Sequence, residues 1–312
     1  METLSELDAA IAVEEGKLAR LDRAREVVAE RLVELRAVRA RADSAVGDPS
    51  AKTGWTAQRK LALFASLFCG REDVFPVRWE NRTKGKTGWA PRCANEWKPG
   101  VCGKPRVKCG ACQNQAFAAR SQQELLAHLQ GRQVMGVYPL LVDDTCRLLA
   151  IDLDGRSWRT DVEAVRDACR ELDVAPAVER SRSGDGAHAW FFFTAPVSAE
   201  LARRFGLMVL TDAMSRSSTL GMASYDRLFP SQDTLPKGGF GNLIALPLQH
   251  DARQHGNTVF LDERLKPYAD QWLYLDALPR IAPQHLEELV GPRSREDSFL
   301  GVGENVGQDE AP

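Results

Sequence analysis

The chain has 312 residues, 44% hydrophobic and 27% charged, and its 41 Lys and Arg against 43 Asp and Glu leave a formal net charge of −2. That is enough apolar material for the core of one medium domain with appendages. No apolar stretch approaches the ~20 residues of a membrane span, and no secretory leader is legible, so a cytoplasmic protein with no membrane partner is expected.

In chain order, residues 3–41 read as one long helix, with Leu4, Leu7, Ile11, Leu18, Leu21, Val28, Leu32 and Leu35 at three- and four-residue steps and Glu14 and Arg25 interrupting the seam. A stripe sustained this long among Glu and Arg argues for a coiled coil over residues 1–45, a device for holding another subunit or the body of the protein. Residues 46–54, around Asp48-Pro49-Ser50, read as a linker.

Thr56–Cys69 has helical periodicity and Gly70 as a stop. A basic segment follows to about Gln115, then a helix through Leu129; residues 55–130 thus form an N-terminal module. Of seven cysteines, four fall here: Cys93, Cys102, Cys109 and Cys112. The Cys-x-x-Cys spacing lets two thiolates grip one tetrahedral ion and the earlier pair close the site, which reads as one structural Zn2+. Cys69, Cys146 and Cys169 are scattered singly and read as buried thiols. Arg71 to Cys112 holds ten Lys and Arg against four acids. Trp79, Trp89 and Trp97 are interleaved with those cations, so they serve either as faces on which a single strand stacks or as the core of a small zinc module. The basic excess favours nucleic acid.

Residues 131–290 read as the main α/β body. Val137–Leu141 and Cys146–Leu153 look like a hairpin around Asp143-Asp144, whose second strand ends in Asp152-Leu153-Asp154. Side chains alternate across a strand, so both carboxylates project from one face. Like charges so close need a cation, and hard oxygen ligands suit Mg2+ or Mn2+; a solvated turn is the plain alternative. Asp161–Leu172 reads as a helix, and Val174–Glu179 and His188–Phe193 as strands. Between those strands lies Arg180-Ser181-Arg182-Ser183-Gly184-Asp185-Gly186, a turn whose glycines bring N–H groups to an anion, with guanidinium and hydroxyl donors beside them. Asp185 would repel a phosphate there and is expected to be an exposed turn residue. Ala199–Leu220 reads as a long helix, Leu243–Leu248 and Thr258–Leu261 as strands, and Gln271–Leu278 and His285–Val290 as short helices. Between the long helix and the next strand lie Ser224-Tyr225-Asp226-Arg227-Leu228-Phe229-Pro230-Ser231-Gln232-Asp233 and Lys237-Gly238-Gly239-Phe240-Gly241-Asn242. Residues 291–312 are Gly-rich and acidic, the composition of a disordered tail.

The order of these motifs, Asp-x-Asp, then a Ser/Gly loop ending in His188, then an Asp before an aromatic and a Gly-Asn-apolar strand, resembles the archaeo-eukaryotic primase (primase-polymerase) superfamily over about residues 55–290. The nearest resemblance is to the bacterial conflict-system (TOTE-type) branch, whose members accompany helicases and nucleases in defence systems. The resemblance implies an α+β fold with an RNA-recognition-like (RRM-like) core and template-dependent joining of nucleoside triphosphates on single-stranded DNA or RNA by two Mg2+ or Mn2+ ions. Asp152, Asp154 and Asp226 would be the metal carboxylates, with Asp233 as rival to Asp226, and His188 would hold the incoming triphosphate. Nucleotide contacts are expected from Arg180, Ser181, Arg182, Ser183, His188, Lys237 and Asn242. Relatives often continue into a helicase, so this chain is a fragment or a stand-alone version, and a helicase or other subunit is the expected partner of the coiled coil. Two other readings stay open: a metal-dependent nuclease or replication initiator, and a catalytically silent zinc-containing nucleic-acid-binding adaptor.

Overall fold

The computed structural model describes Lys17 and residues 55–81, 83–217, 220 and 227–291. The expected coiled coil and linker, Arg82, Asp226 and the tail beyond Gly291 lie outside the described residues. Contacts divide the chain into Met1–Trp55 and Thr56–Pro312, and the elements below belong to the second unit.

Helix α1 (Ala57–Leu67) starts where the Thr56 hydroxyl accepts from Arg59 N–H, and it buries Leu61, Phe64 and Leu67. A two-stranded antiparallel hairpin, β1 (Pro76–Asn81) and β2 (Lys86–Pro91), occupies the basic segment. Helix α2 (Gln122–Leu129) is capped by Ser121. The buried His128 ties it to the body: Nδ1 accepts from Met135 N–H at 3.0 Å, and Nε2 lies 2.9 Å from the Pro247 carbonyl, to which it donates.

The body is built on β4 (Thr145–Asp154), α3 (Trp158–Glu171), β5 (Ala177–Arg180), β6 (Gly186–Ser198), α4 (Ala199–Arg216) and β7 (Leu228–Phe229). The order β-α-β-β-α-β and the sheet sequence β5-β6-β4-β7, antiparallel throughout, make a split βαβ sheet with β4 and β6 central. This is a mixed α/β body, as the sequence led one to expect. Alternation divides its residues. Phe191 of β6 meets Phe205 of α4 edge-on, and a Cβ on Gly206 of α4 would come within 2.8–3.0 Å of Leu228 and Leu149 methyl groups, so α4 sits close against this face. On the opposite face Trp190 and Phe192 meet Phe68, which in turn packs beside Phe260.

The expected Val137–Leu141/Cys146–Leu153 hairpin does not form. Strand β3 (Gly136–Val137) pairs instead with β8 (Ile244–Ala245), while β4 pairs with β6 and β7. Pro139 has no N–H to give a ladder, and Leu141 makes only turn bonds, donating to the Thr145 carbonyl and accepting from Asp144 N–H. Pro247 likewise leaves β8 at two residues, and Thr258–Leu261 contributes isolated bridges rather than a strand. The remaining short helices are α5 (His250–Gln254), α6 (Gln271–Asp276) and α7 (Pro283–Val290). Among the described residues no helix is long and apolar enough to cross a membrane.

Candidate functional site

Strand register assembles the site. Asp152 of β4 stands opposite His188 of β6, and His188 stands opposite Glu179 of β5; one step along, Asp154 stands opposite Gly186. Residues directly opposite share a face, so Glu179, His188 and Asp152 form a row across three strands with Asp154 beside its end. The loop and the acidic strand meet at close range. A Cβ on Gly186 would lie 2.3 Å from Asp154 Oδ1 and 3.0 Å from the Leu153 carbonyl, so a side chain there would displace the Asp154 carboxylate.

His188 is nearly buried, with Nδ1 2.7 Å from Glu179 Oε2 and Nε2 3.6 Å from Asp152 Oδ1. Burial pushes its pKa down, but the Glu179 charge and hydrogen bond, together with Asp152 and Asp154, more than reverse this and leave it raised. Asp152 Oδ1 is buried with no hydrogen-bond partner. Burial pushes the Asp152 carboxyl above the usual range; His188 and Arg227 pull it back, and Asp154 adds to the rise. Asp154 is exposed. Among the described residues no three His, Cys, Asp or Glu side chains already stand as a metal cluster. An orphaned buried carboxylate oxygen next to a second carboxylate nevertheless suits a hard cation, which would replace the missing hydrogen bond.

The loop is held from outside. Asn257 donates to the Arg182 carbonyl at 3.1 Å, Arg180 Nε donates to the Gly184 carbonyl at 3.0 Å, and the Ser181 and Ser183 hydroxyls lie 3.0 Å apart. Arg182 reaches Gln249 at 3.4 Å. Asp185 is exposed, as expected. Asp233 is ion-paired with Arg203 of α4. The Asn242 amide accepts from Ser231 N–H at 3.1 Å and donates to the Leu228 carbonyl at 2.8 Å, so it pins β7 and the turn after it. Lys237 is exposed on a loop whose Gly238 carbonyl would lie 2.7 Å from a Cβ on Gly110. The sequence reading missed Glu179 and Arg227. Neither carries a local signal, because both matter only through the strands opposite them.

Cys93, Cys102, Cys109 and Cys112 line one cavity of about 20 Å³, shared with Glu96 and Lys104. Burial pushes the Cys109 thiol up, with Lys104 opposing. Cys146 and Cys169 are buried free thiols, whereas Cys69 is only half-buried. Trp79 and Trp97 are 44% and 65% exposed, and Trp89 is half-buried.

The mixed α/β body is consistent with a primase-polymerase core. The model for the archaeo-eukaryotic primase domain of TOTE conflict systems matches residues 59–289, and the chain belongs to that family of nucleotidyltransferases. Among solved structures, the polymerase domain of Mycobacterium tuberculosis Ligase D in complex with DNA is similar over 78% of this chain and 91% of that one, at 16% identity and a TM-score of 0.38. No curated protein matches.

Proposed function

We propose that the protein is a template-dependent primase-polymerase that joins nucleoside triphosphates on single-stranded DNA or RNA, with Asp152, Asp154 and Asp226 holding two Mg2+ or Mn2+ ions. The observation that carries this reading is the buried Oδ1 of Asp152, without a hydrogen bond, beside Asp154 and His188 on one sheet face. When bound, such ions activate an attacking 3′-oxygen and neutralise a leaving pyrophosphate. The chain's own residues supply the rest. His188 Nε2 faces the acidic pair and meets the triphosphate. Ser181, Ser183 and Arg182 offer hydroxyl and guanidinium donors from the adjoining loop, while Arg180 braces that loop through Gly184. Lys237 adds an exposed cation, and Asn242 serves through the strand it pins.

The four cysteines facing one cavity are the donor set of a structural Zn2+, held by Cys93, Cys102, Cys109 and Cys112. The β1–β2 hairpin, with exposed Lys84, Lys86 and Trp79, supplies cations and an aromatic face for a single strand. Residues 1–45 take a helicase or other subunit as partner, and the protein works in the cytoplasm. The test is purified protein with primed and unprimed single strands, labelled nucleotides and Mn2+. Incorporation is expected; strand cleavage without incorporation, or a mobility shift with no chemistry, overturns the reading.

A further inference from the structure

We infer that Glu179 is a positioning residue that fixes which nitrogen of His188 faces the acidic pair; its catalytic meaning rests on the nucleotidyltransferase reading, its geometry does not. Glu179 is 1% exposed, between the buried Val178 and Arg180, the last residue of β5. A carboxylate at that depth is costly unless donors satisfy it. Two donors converge on its Oε2: His188 Nδ1 at 2.7 Å and Trp190 Nε1 at 3.1 Å.

A carboxylate can only accept, so the hydrogen in the first contact belongs to Nδ1. Which imidazole nitrogen carries a hydrogen is set by the bond the other nitrogen makes. Free imidazole favours its hydrogen on Nε2, and Glu179 reverses that preference. Nε2 is thereby the only nitrogen left to respond to whatever lies over the acidic pair. At 3.6 Å from Asp152 Oδ1 it is beyond hydrogen-bond reach there and stands in ion-pair contact only, with the Asp152 carboxylate. Trp190 is the second anchor. An indole N–H can only donate, so it holds an oxygen at the shared position and stops the carboxylate from turning away.

The experiment compares Glu179→Met, an apolar side chain of similar length, with Glu179→Gln, which keeps an oxygen for Trp190 to hold. Nitrogen NMR of histidine-labelled full-length protein, with His188 assigned by its loss in His188→Ala, should show hydrogen on Nδ1 in wild type and in Glu179→Gln, and on Nε2 in Glu179→Met. In Mn2+-supported incorporation, Glu179→Met should raise the nucleotide KM about tenfold with a smaller fall in kcat, and Glu179→Gln should restore it to within about threefold of wild type. Hydrogen remaining on Nδ1 in Glu179→Met, or equal losses in both variants, overturns the proposal. Should Glu179→Met not fold, Glu179→Leu takes its place, and hydrogen still fixed on Nδ1 there overturns it as well. A wild-type protein that incorporates no nucleotide sinks the nucleotidyltransferase reading, while the nitrogen spectrum still decides the role of Glu179.

Discussion

Asp152 sets chemistry against stability. Its carboxyl is pushed up chiefly by burial, which outweighs the pull of His188 and Arg227, and its Oδ1 has no hydrogen bond, so Asp152→Asn should remove a costly buried charge and raise Tm by about 2–4 °C while abolishing incorporation. Thermal denaturation beside an extension assay checks this, and retained polymerisation would count against the metal role. For the third carboxylate, Asp233 already has a surface partner in Arg203. Asp233→Asn should therefore cost at most about 1 kcal/mol and keep most incorporation, while Asp226→Asn should lose it at every nucleotide concentration; single-turnover rates decide, and the reverse outcome would move the assignment. His128 carries a different consequence. Its pKa is lowered to about 4 by burial, so the folded protein resists a proton that the unfolded chain accepts at about 6.5. Stability should be full above that value and fall by about 1.4 kcal/mol per pH unit as pH drops toward 4. Urea unfolding at pH 7 and 5 measures it, and His128→Gln should flatten the dependence. Asp152 and Asp154 were legible because strand alternation alone puts them together. His128 and Glu179 were not, since nothing beside them in the chain says that a carbonyl 119 residues away or an imidazole nine residues on will complete them.

At the scale of elements, local periodicity carried the helices and failed on the short strands. Helix α1 begins and ends close to its expected bounds because its cap and apolar stripe are local, while α4 stops at Arg216 rather than running on to Leu220. Strand β3 was read into a hairpin because its true partner, β8, lies over a hundred residues away and is only two residues long. The β1–β2 hairpin was hidden among cations that gave no apolar alternation. The cysteine segment bears on the body through Gly110, whose Cα has room for no side chain against the Gly238 carbonyl. Phe240 in the same loop packs on Phe117 and Tyr138 with ring centres 5.3 and 5.4 Å away. Metal analysis should find about one zinc per chain. Cys109→Ser should release it, lower the melting temperature and weaken single-strand binding, because for so small a segment metal-binding energy is folding energy. A zinc-free protein of unchanged stability and affinity would refute the site.

Across the whole molecule the ladders are unequal. Strands β4 and β6 face each other along most of their length, whereas β7 is held by the pairs Ala150–Phe229 and Ile151–Leu228 and by the Asn242 amide. Free energies of local opening scale with such support. In rising urea the β7 register should therefore open while the β4–β6 ladder and its aromatic core are still intact. Residue 226 stands two places before that strand in the chain. Incorporation should accordingly fade at a lower urea concentration than far-UV ellipticity and return on dilution without a refolding lag; coincident midpoints would show that the edge and centre of the sheet open as one. The two central strands then act as a memory of the site, keeping the acidic pair and its imidazole registered while the edge that completes them comes and goes.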